Sequence, residues 1–304
     1  VEDGAPVLSF EAVPSVLEIT SVDDWINFTN AVNGGNTYRG TVVRLTCDLD
    51  LSSVRFVPVG NNAGKGDNAF ITWSNTYDVS KASYFAGVFD GQGHRISGLN
   101  AAFDQGYTGL FGMTYGAKIC NLSLDAVFTN QSGAWHNGLL IGLAINTEVD
   151  SCYVSGKYDS RTAGLVGGMV GTAANSLVIR NSICAADCSA LGNQYSGGIV
   201  GYAFGAQDFT VVSMTNCYLR TAKVANQSGA AIRLLIGDGS GSKLIDNCYA
   251  VCTDGGNVIE LAGGAKLLNG SGLITDAELK TMTDRLGNAF RVGTSGYPVL
   301  SWME

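Results

Sequence analysis

From Cys120 onward the chain repeats itself. Cys120, Cys152, Cys184, Cys217 and Cys248 stand 32, 32, 33 and 31 residues apart. Three of them lie in one short phrase, Ser151-Cys152-Tyr153, Asn216-Cys217-Tyr218 and Asn247-Cys248-Tyr249. A second ladder, offset from the first, is built of apolar pairs closed by glycine: Gly109-Leu110-Phe111-Gly112, Leu140-Ile141-Gly142, Met169-Val170-Gly171, Ile199-Val200-Gly201 and Leu235-Ile236-Gly237. Two phrases interleaved at one period describe stacked, near-identical units, the pattern of a solenoid. Stacking therefore accounts for most conspicuous residues before any chemistry is invoked.

Glycine separates a helical solenoid from a β one. The chain holds 41 Gly and only 4 Pro in 304 residues. Inside helices each Gly would cost roughly 1 kcal/mol, whereas corners of a coiled sheet accept Gly at φ > 0. A repeat this short has room for two or three strands of 4 to 6 residues and too little chain for the paired helices of larger α-repeats with this glycine load. The reading is a parallel β-helix forming a single domain over 1–304.

Along the chain, 1–60 reads as an N-terminal cap and first coil, 61–84 as a loop insertion, 85–255 as repeat coils and 256–304 as a C-terminal cap. Ser21 through Val32 has an N-cap serine, Asp23 and Asp24 in the first turn, and Trp25, Phe28 and Val32 on one stripe, which predicts a helix. An amphipathic helix there would cover the open end of the first coil. Val43, Leu45, Cys47, Leu49 and Leu51 alternate with polar residues, the period of a half-buried strand. Residues from Gly60 to Ser83 break the pattern with Phe70, Trp73 and Tyr77, and insertions in solenoids form loops on one face. Thr275 to Met282 carries an N-cap with Glu278 three residues on, predicting a short helix, and Gly296 to Trp302 predicts a last strand that seals the end.

Charged residues make up 14% of the chain, with a formal net charge of -8. Lys65, Arg95, Lys118, Arg161, Arg180 and Arg220 are scattered singly, which excludes the clustered cations a nucleic-acid backbone requires. No apolar run is long enough to span a membrane. The start at Val1-Glu2-Asp3 is not a signal peptide, so the expectation is a mature or trimmed piece.

The phrase Phe85-Ala86-Gly87-Val88-Phe89-Asp90-Gly91-Gln92-Gly93-His94-Arg95-Ile96, with Gly109-Leu110-Phe111-Gly112 and Ile119-Cys120-Asn121-Leu122, resembles bacterial surface proteins that carry the GLUG-type repeat. The flanks are similar too, from Trp25 to Leu51 followed by Pro58-Val59-Gly60, and from Gly296 to Trp302, so the resemblance covers nearly the whole chain. It implies a right-handed parallel β-helix in a secreted or wall-attached bacterial protein, often one module of a larger adhesin-like or carbohydrate-processing chain. The motif residues of that family are structural, so the resemblance assigns no catalytic residue. It makes Asp90 and His94 turn residues, with His94 hydrogen-bonding a neighbouring coil.

Equivalent residues of successive coils lie about 4.8 Å apart and point the same way, so Cys120, Cys152, Cys184, Cys217 and Cys248 read as an internal ladder of buried thiols. Disulfides are the competing reading, at a geometry unusual for parallel neighbours. Zinc is disfavoured because His94 and His136 are the only histidines. Asp125, Asp150, Asp159, Asp187 and Asp246 fall on successive coils, whereas glycoside chemistry needs two carboxylates within about 5–9.5 Å. No nucleophile elbow, P-loop or zinc-protease motif is present.

The expected function is a non-catalytic module, with no cofactor or metal, binding a glycan or a host extracellular protein through loops on a rigid rod. Trp73, Tyr77, Trp135 and His136 are the candidate contacts, because aromatic side chains on loops supply contact area. A carbohydrate-active β-helix enzyme and a plain architectural spacer are the alternatives.

Overall fold

The computed structural model describes residues 14–62, 79, 82–104, 106–130, 135–160, 164–193, 195–205, 210–226, 228–229, 232–253 and 261–303. They form a right-handed parallel β-solenoid with few helices. Each full coil has three faces. Two belong to sheet A, whose main path runs Ser15–Ile19, Thr41–Leu45, Val88–Asp90, Lys118–Cys120, Ile141–Asp150, Val170–Arg180, Thr210–Thr215, Ser242–Asp246 and Ala265–Leu268. Its side arm consists of Phe111–Tyr115 and Val200–Phe204, with Ile236–Gly239 on the latter. The third face is sheet B, from Leu49–Asp50 through Arg95–Phe103, Ser123–Asn130, Tyr153–Ser160, Ile183–Leu191, Tyr218–Thr221 and Tyr249–Cys252 to Gly272–Leu273.

The core is a set of in-register columns. In sheet A one runs Leu17, Val43, Phe89, Ile119, Val149, Ile179, Met214, Ile245, Leu267. Every member between its two ends is fully buried. Sheet B contributes Leu49, Ile96, Leu124, Val154, Cys184, Leu219, Ala250 and Leu273. Because a side chain meets its equivalents only 4.8 Å away on either side, apolar columns form without any long-range sorting of residues.

Corners between the main path of sheet A and sheet B are made by Asn121, Ser151, Asn181, Asn216, Asn247 and Asn269, all with φ between 47° and 54°. Asparagine and serine thus take the left-handed positions expected of glycine. The repeat glycines do something else. Gly142 has no left-handed φ, and a Cβ there would lie 2.7 Å from the Gly112 carbonyl oxygen and 2.8 Å from that of His136. Close backbone approach, not conformational freedom, fixes glycine at that position.

The cysteines are not one ladder. Cys152, Cys217 and Cys248 share a column with Ser182 between the first two, whereas Cys120 stands level with Asp150 and Cys184 with Val154. The near-regular spacing arises from coils of unequal length, so a constant interval does not mean a constant register. None of the eight cysteines, all among the described residues, forms a disulfide. Burial raises the Cys152 and Cys217 thiols above their ordinary range and pushes Cys120 up to about 12, so these are packing groups and not nucleophiles.

Helix α1 (Val22–Asn33) is capped by Ser21, whose side chain accepts from the Asp24 amide. It buries Trp25, Phe28 and Val32, with the Phe28 ring 5.6 Å from Phe85 and 6.1 Å from Phe89, covering the core of the first coils. The alternating stretch from Val43 to Leu51 is two strands in different sheets, Thr41–Leu45 and Leu49–Asp50, joined by a corner. At the far end, α2 (Asp276–Leu279) has the expected capping box and is followed by α3 (Thr283–Leu286) and the antiparallel pair Phe290–Val292 with Pro298–Leu300. The last strand does not lie across the end of the solenoid. Leu279, Leu286, Phe290 and Leu300 pack with Ile183, Tyr218 and Tyr249, which form one register column with Tyr153 on sheet B. The segment is a strap along the flank, reaching back until Trp302 lies against Gly93.

Candidate functional site

Two features of the outer surface bring chemistry-bearing side chains together. The first is an aromatic face on the side arm of sheet A. Residues that alternate with the core form a second apolar cluster of Tyr107, Met113, Leu143, Ile145 and Ala174. Val79, Ala82 and Tyr84, at the end of the insertion, pack on it. The base of the insertion is tied by Asn62, which donates to the Ser83 carbonyl at 2.8 Å and accepts from the Ser83 amide at 2.9 Å. Farther along the rod the face carries Tyr202 and Phe204, rings 5.2 Å apart, and Tyr195, 6.3 Å from Tyr202. Tyr195 is 41% exposed, and its backbone amide donates to the Asn193 side chain at 2.9 Å.

Polar groups border these rings. Asp238 is the register neighbour of Tyr202. Arg233 reaches Asp238 at 3.4 Å and donates to the Gly237 carbonyl at 2.9 Å. Partial burial, with the Asp238 carboxylate and Tyr195 beside it, raises the Tyr202 hydroxyl above its usual range.

Trp135 and His136 lie two coils before Tyr195 on this side and part company. Trp135 is 43% exposed. His136 is 7% exposed, stacks on Tyr107 with centroids 5.1 Å apart, and its Nδ1 lies 2.8 Å from the Thr172 hydroxyl. Burial lowers its pKa to about 4, so the ring is neutral near pH 7. His136 is therefore a buried support beneath the face and not a surface contact, because its loop turns the ring inward at φ 68°. Trp73 and Tyr77 lie outside the described residues. Sequence reading missed Tyr195, Tyr202 and Phe204; the signal was two aromatics at i, i+2 after a glycine-closed pair.

The second feature is a charge quartet on the main path of sheet A. Lys118 and Glu148 are register neighbours, as are Asp150 and Arg180. Lys118 Nζ lies 2.8 Å from Glu148 and 3.8 Å from Asp150, and Arg180 pairs with both carboxylates. Cations scattered in the sequence are thus gathered by coiling, each beside acids. Glu148 is partly buried, which opposes ionisation, yet bonds from Lys118 and Arg180 hold its carboxyl below the usual range. A groove of about 610 Å³ borders the quartet, running across successive coils past Arg39, Val42, Val88, Lys118, Glu148 and Val178.

Two of the other expected carboxylates are held in ion pairs. Asp125 pairs with Arg95 at 2.8 Å and Asp187 with Lys157 at 3.3 Å. Asp90 accepts from the Gln92 amide at 3.1 Å and from the Asn121 side chain at 2.9 Å, and His94 Nδ1 lies 3.1 Å from Asp48 of the preceding coil. Both act as turn fasteners. Among the described residues no group of three His, Cys, Asp or Glu is placed to hold a metal ion.

No protein-family model matches the chain, and no curated protein matches it. Among solved structures it is similar to a protein described as a putative immunoglobulin A1 protease from Bacteroides ovatus, at 16% identity and a TM-score of 0.62. That match covers 96% of this chain and 93% of the other. At this identity the likeness extends to the β-solenoid fold and no further.

Proposed function

We propose that the chain is a non-catalytic binding module whose ligand-contact surface is the outer face bearing Trp135, Tyr195, Tyr202 and Phe204. One observation supports the reading: aromatic rings gather there beside Asp238 and Arg233. Flat apolar rings offer a sugar ring its stacking surface, and the bordering carboxylate and guanidinium offer its hydroxyls partners. A host extracellular protein would use the same rings as anchors. The GLUG-like wording of the repeats supports a secreted or surface-displayed bacterial module of a larger chain. Glycan arrays and pull-downs with mucin and serum proteins test the reading. Binding that drops at least about tenfold in a Tyr195→Ala/Tyr202→Ala double variant is expected, each stacked ring contributing on the order of 1 kcal/mol. Silence on both screens at high concentration, or binding indifferent to the double variant, overturns it.

A second reading, a carbohydrate-active enzyme, rests on the quartet. Glu148 and Asp150 occupy alternate positions of one strand beside the groove, roughly 7 Å apart along the backbone. Both are already neutralised by Lys118 and Arg180, which suits a structural tie better than an acid and a base. Release of reducing or unsaturated ends from polysaccharides, abolished by Glu148→Gln, would favour the enzyme. The solved neighbour's description adds immunoglobulin A1 cleavage to the same screen.

A further inference from the structure

The two ends of the rod differ in a way that suits them to each other. At the tail, Leu267 and Leu273 continue the inward columns of Ile245 and Ala250, yet they are 44% and 49% exposed. Core positions elsewhere in those columns are buried because another coil follows. The strap does not supply that coil, since it packs on the flank. At the head, strand Ser15–Ile19 pairs along one edge with Thr41–Leu45, and among the described residues no strand pairs with its other edge. The same holds for the far edge of Ala265–Leu268.

We propose that the chain stacks tail to head on further copies of itself, with Ala265–Leu268 of one copy pairing in parallel with Ser15–Ile19 of the next. Register decides what would meet. Sheet A columns place Leu267 in line with Leu17, and Lys266 in line with Val16. Continuing that register across the junction sets Leu17 on Leu267 and puts Glu18 diagonal to Lys266. The molecule already uses that diagonal: Glu148 is level with Val178, and its partner Arg180 stands two residues on. Neither Glu18 nor Lys266 has an ion-pair partner among the described residues.

A lysine on an edge strand ordinarily discourages pairing with a second chain. Here it discriminates, because only an edge carrying an acid at the matching position rewards it. A tail-to-tail dimer would bring two copies of Lys266 to one junction, and the strand Ala265–Leu268 has no acid to meet them. Tail-to-head contacts use two different surfaces of each copy and do not close, so assembly should grow with concentration.

Sedimentation from micromolar to near-millimolar concentration tests this. The expected result is a weight-average mass that rises without a plateau, and a Leu267→Lys variant that stays monomeric with an unchanged melting curve. Glu18→Lys and Lys266→Glu should each weaken association about tenfold, and the two together in one chain should restore it. A chain that is monomeric throughout overturns the proposal. So does association indifferent to Glu18→Lys, which would mark a tail-to-tail contact or another surface.

Discussion

The side-chain amide of Asn216 donates to the side-chain carbonyl of Asn181 at 3.2 Å, one coil away along the same corner. Asn181 in turn donates to Asp150 at 2.9 Å, and Asn247 donates to Asn216 at 2.8 Å. Each of these asparagines sits at positive φ, a conformation asparagine tolerates better than most residues. Asn181→Gly keeps the backbone and loses the bonds, costing about 1–2 kcal/mol; Asn181→Ala adds left-handed strain of about 1 kcal/mol more. Urea denaturation should rank wild type above Gly above Ala. An alanine variant as stable as the glycine one would refute the strain argument.

Packing at the glycine ladder is harsher. A Cβ on Gly171 would lie 2.2 Å from the Asn137 backbone nitrogen, and no flexible side chain is there to yield. Gly171→Ala is expected to lose at least about 3 kcal/mol, beyond the usual cost of overpacking, or to prevent folding. Gly272→Ala serves as the control, since its nearest contact would be 3.8 Å away and its φ is not left-handed.

His136 gives the fold a pH dependence with a definite sign. Its folded pKa of about 4 is below the ordinary value of 6.5, so the unfolded chain binds the extra proton between those limits. Stability from this residue is fully present above pH 6.5 and is lost as pH falls toward 4, amounting to about 3 kcal/mol over the window. Denaturation midpoints measured across that range should fall for the wild type and fall less for His136→Gln. Parallel curves for the two proteins would show that the ring titrates normally.

These tests rest on features that the sequence showed unequally. Period and glycine load were enough for a parallel β-solenoid, because they follow from stacking alone. The Ser21 cap and the Thr275 capping box were legible for the same local reason. Register was not: level positions are 30 residues apart from Cys120 to Asp150 and from Asp150 to Arg180, 35 from Arg180 to Thr215 and 31 from Thr215 to Asp246, so cysteine intervals of 32, 32, 33 and 31 move a cysteine from one column to another. The quartet was invisible because Lys118, Glu148 and Arg180 are about one coil apart in sequence and meet only through register. His136 sat in a loop phrase beside an exposed Trp135, and nothing local tells which of two neighbours turns inward.

The strap offers the last test. Arg220, on sheet B, donates to Asp276 at 2.8 Å and to the Tyr297 hydroxyl at 3.2 Å, and its guanidinium lies 4.4 Å from the Tyr297 ring centroid. Lys280 covers the same ring at 4.7 Å. Hydrogen bonds from Tyr297 and Arg220 hold the Asp276 carboxyl below its usual range, yet these groups are partly exposed, so each contact is worth at most about 1 kcal/mol. Apolar packing of Leu279, Leu286, Phe290 and Leu300 should therefore keep the strap docked in Arg220→Ala, with local opening made easier. Hydrogen exchange is expected to speed up several-fold across 275–303 while the coils keep their protection. Exchange that quickens throughout the rod would mean instead that the strap and the solenoid unfold as one unit.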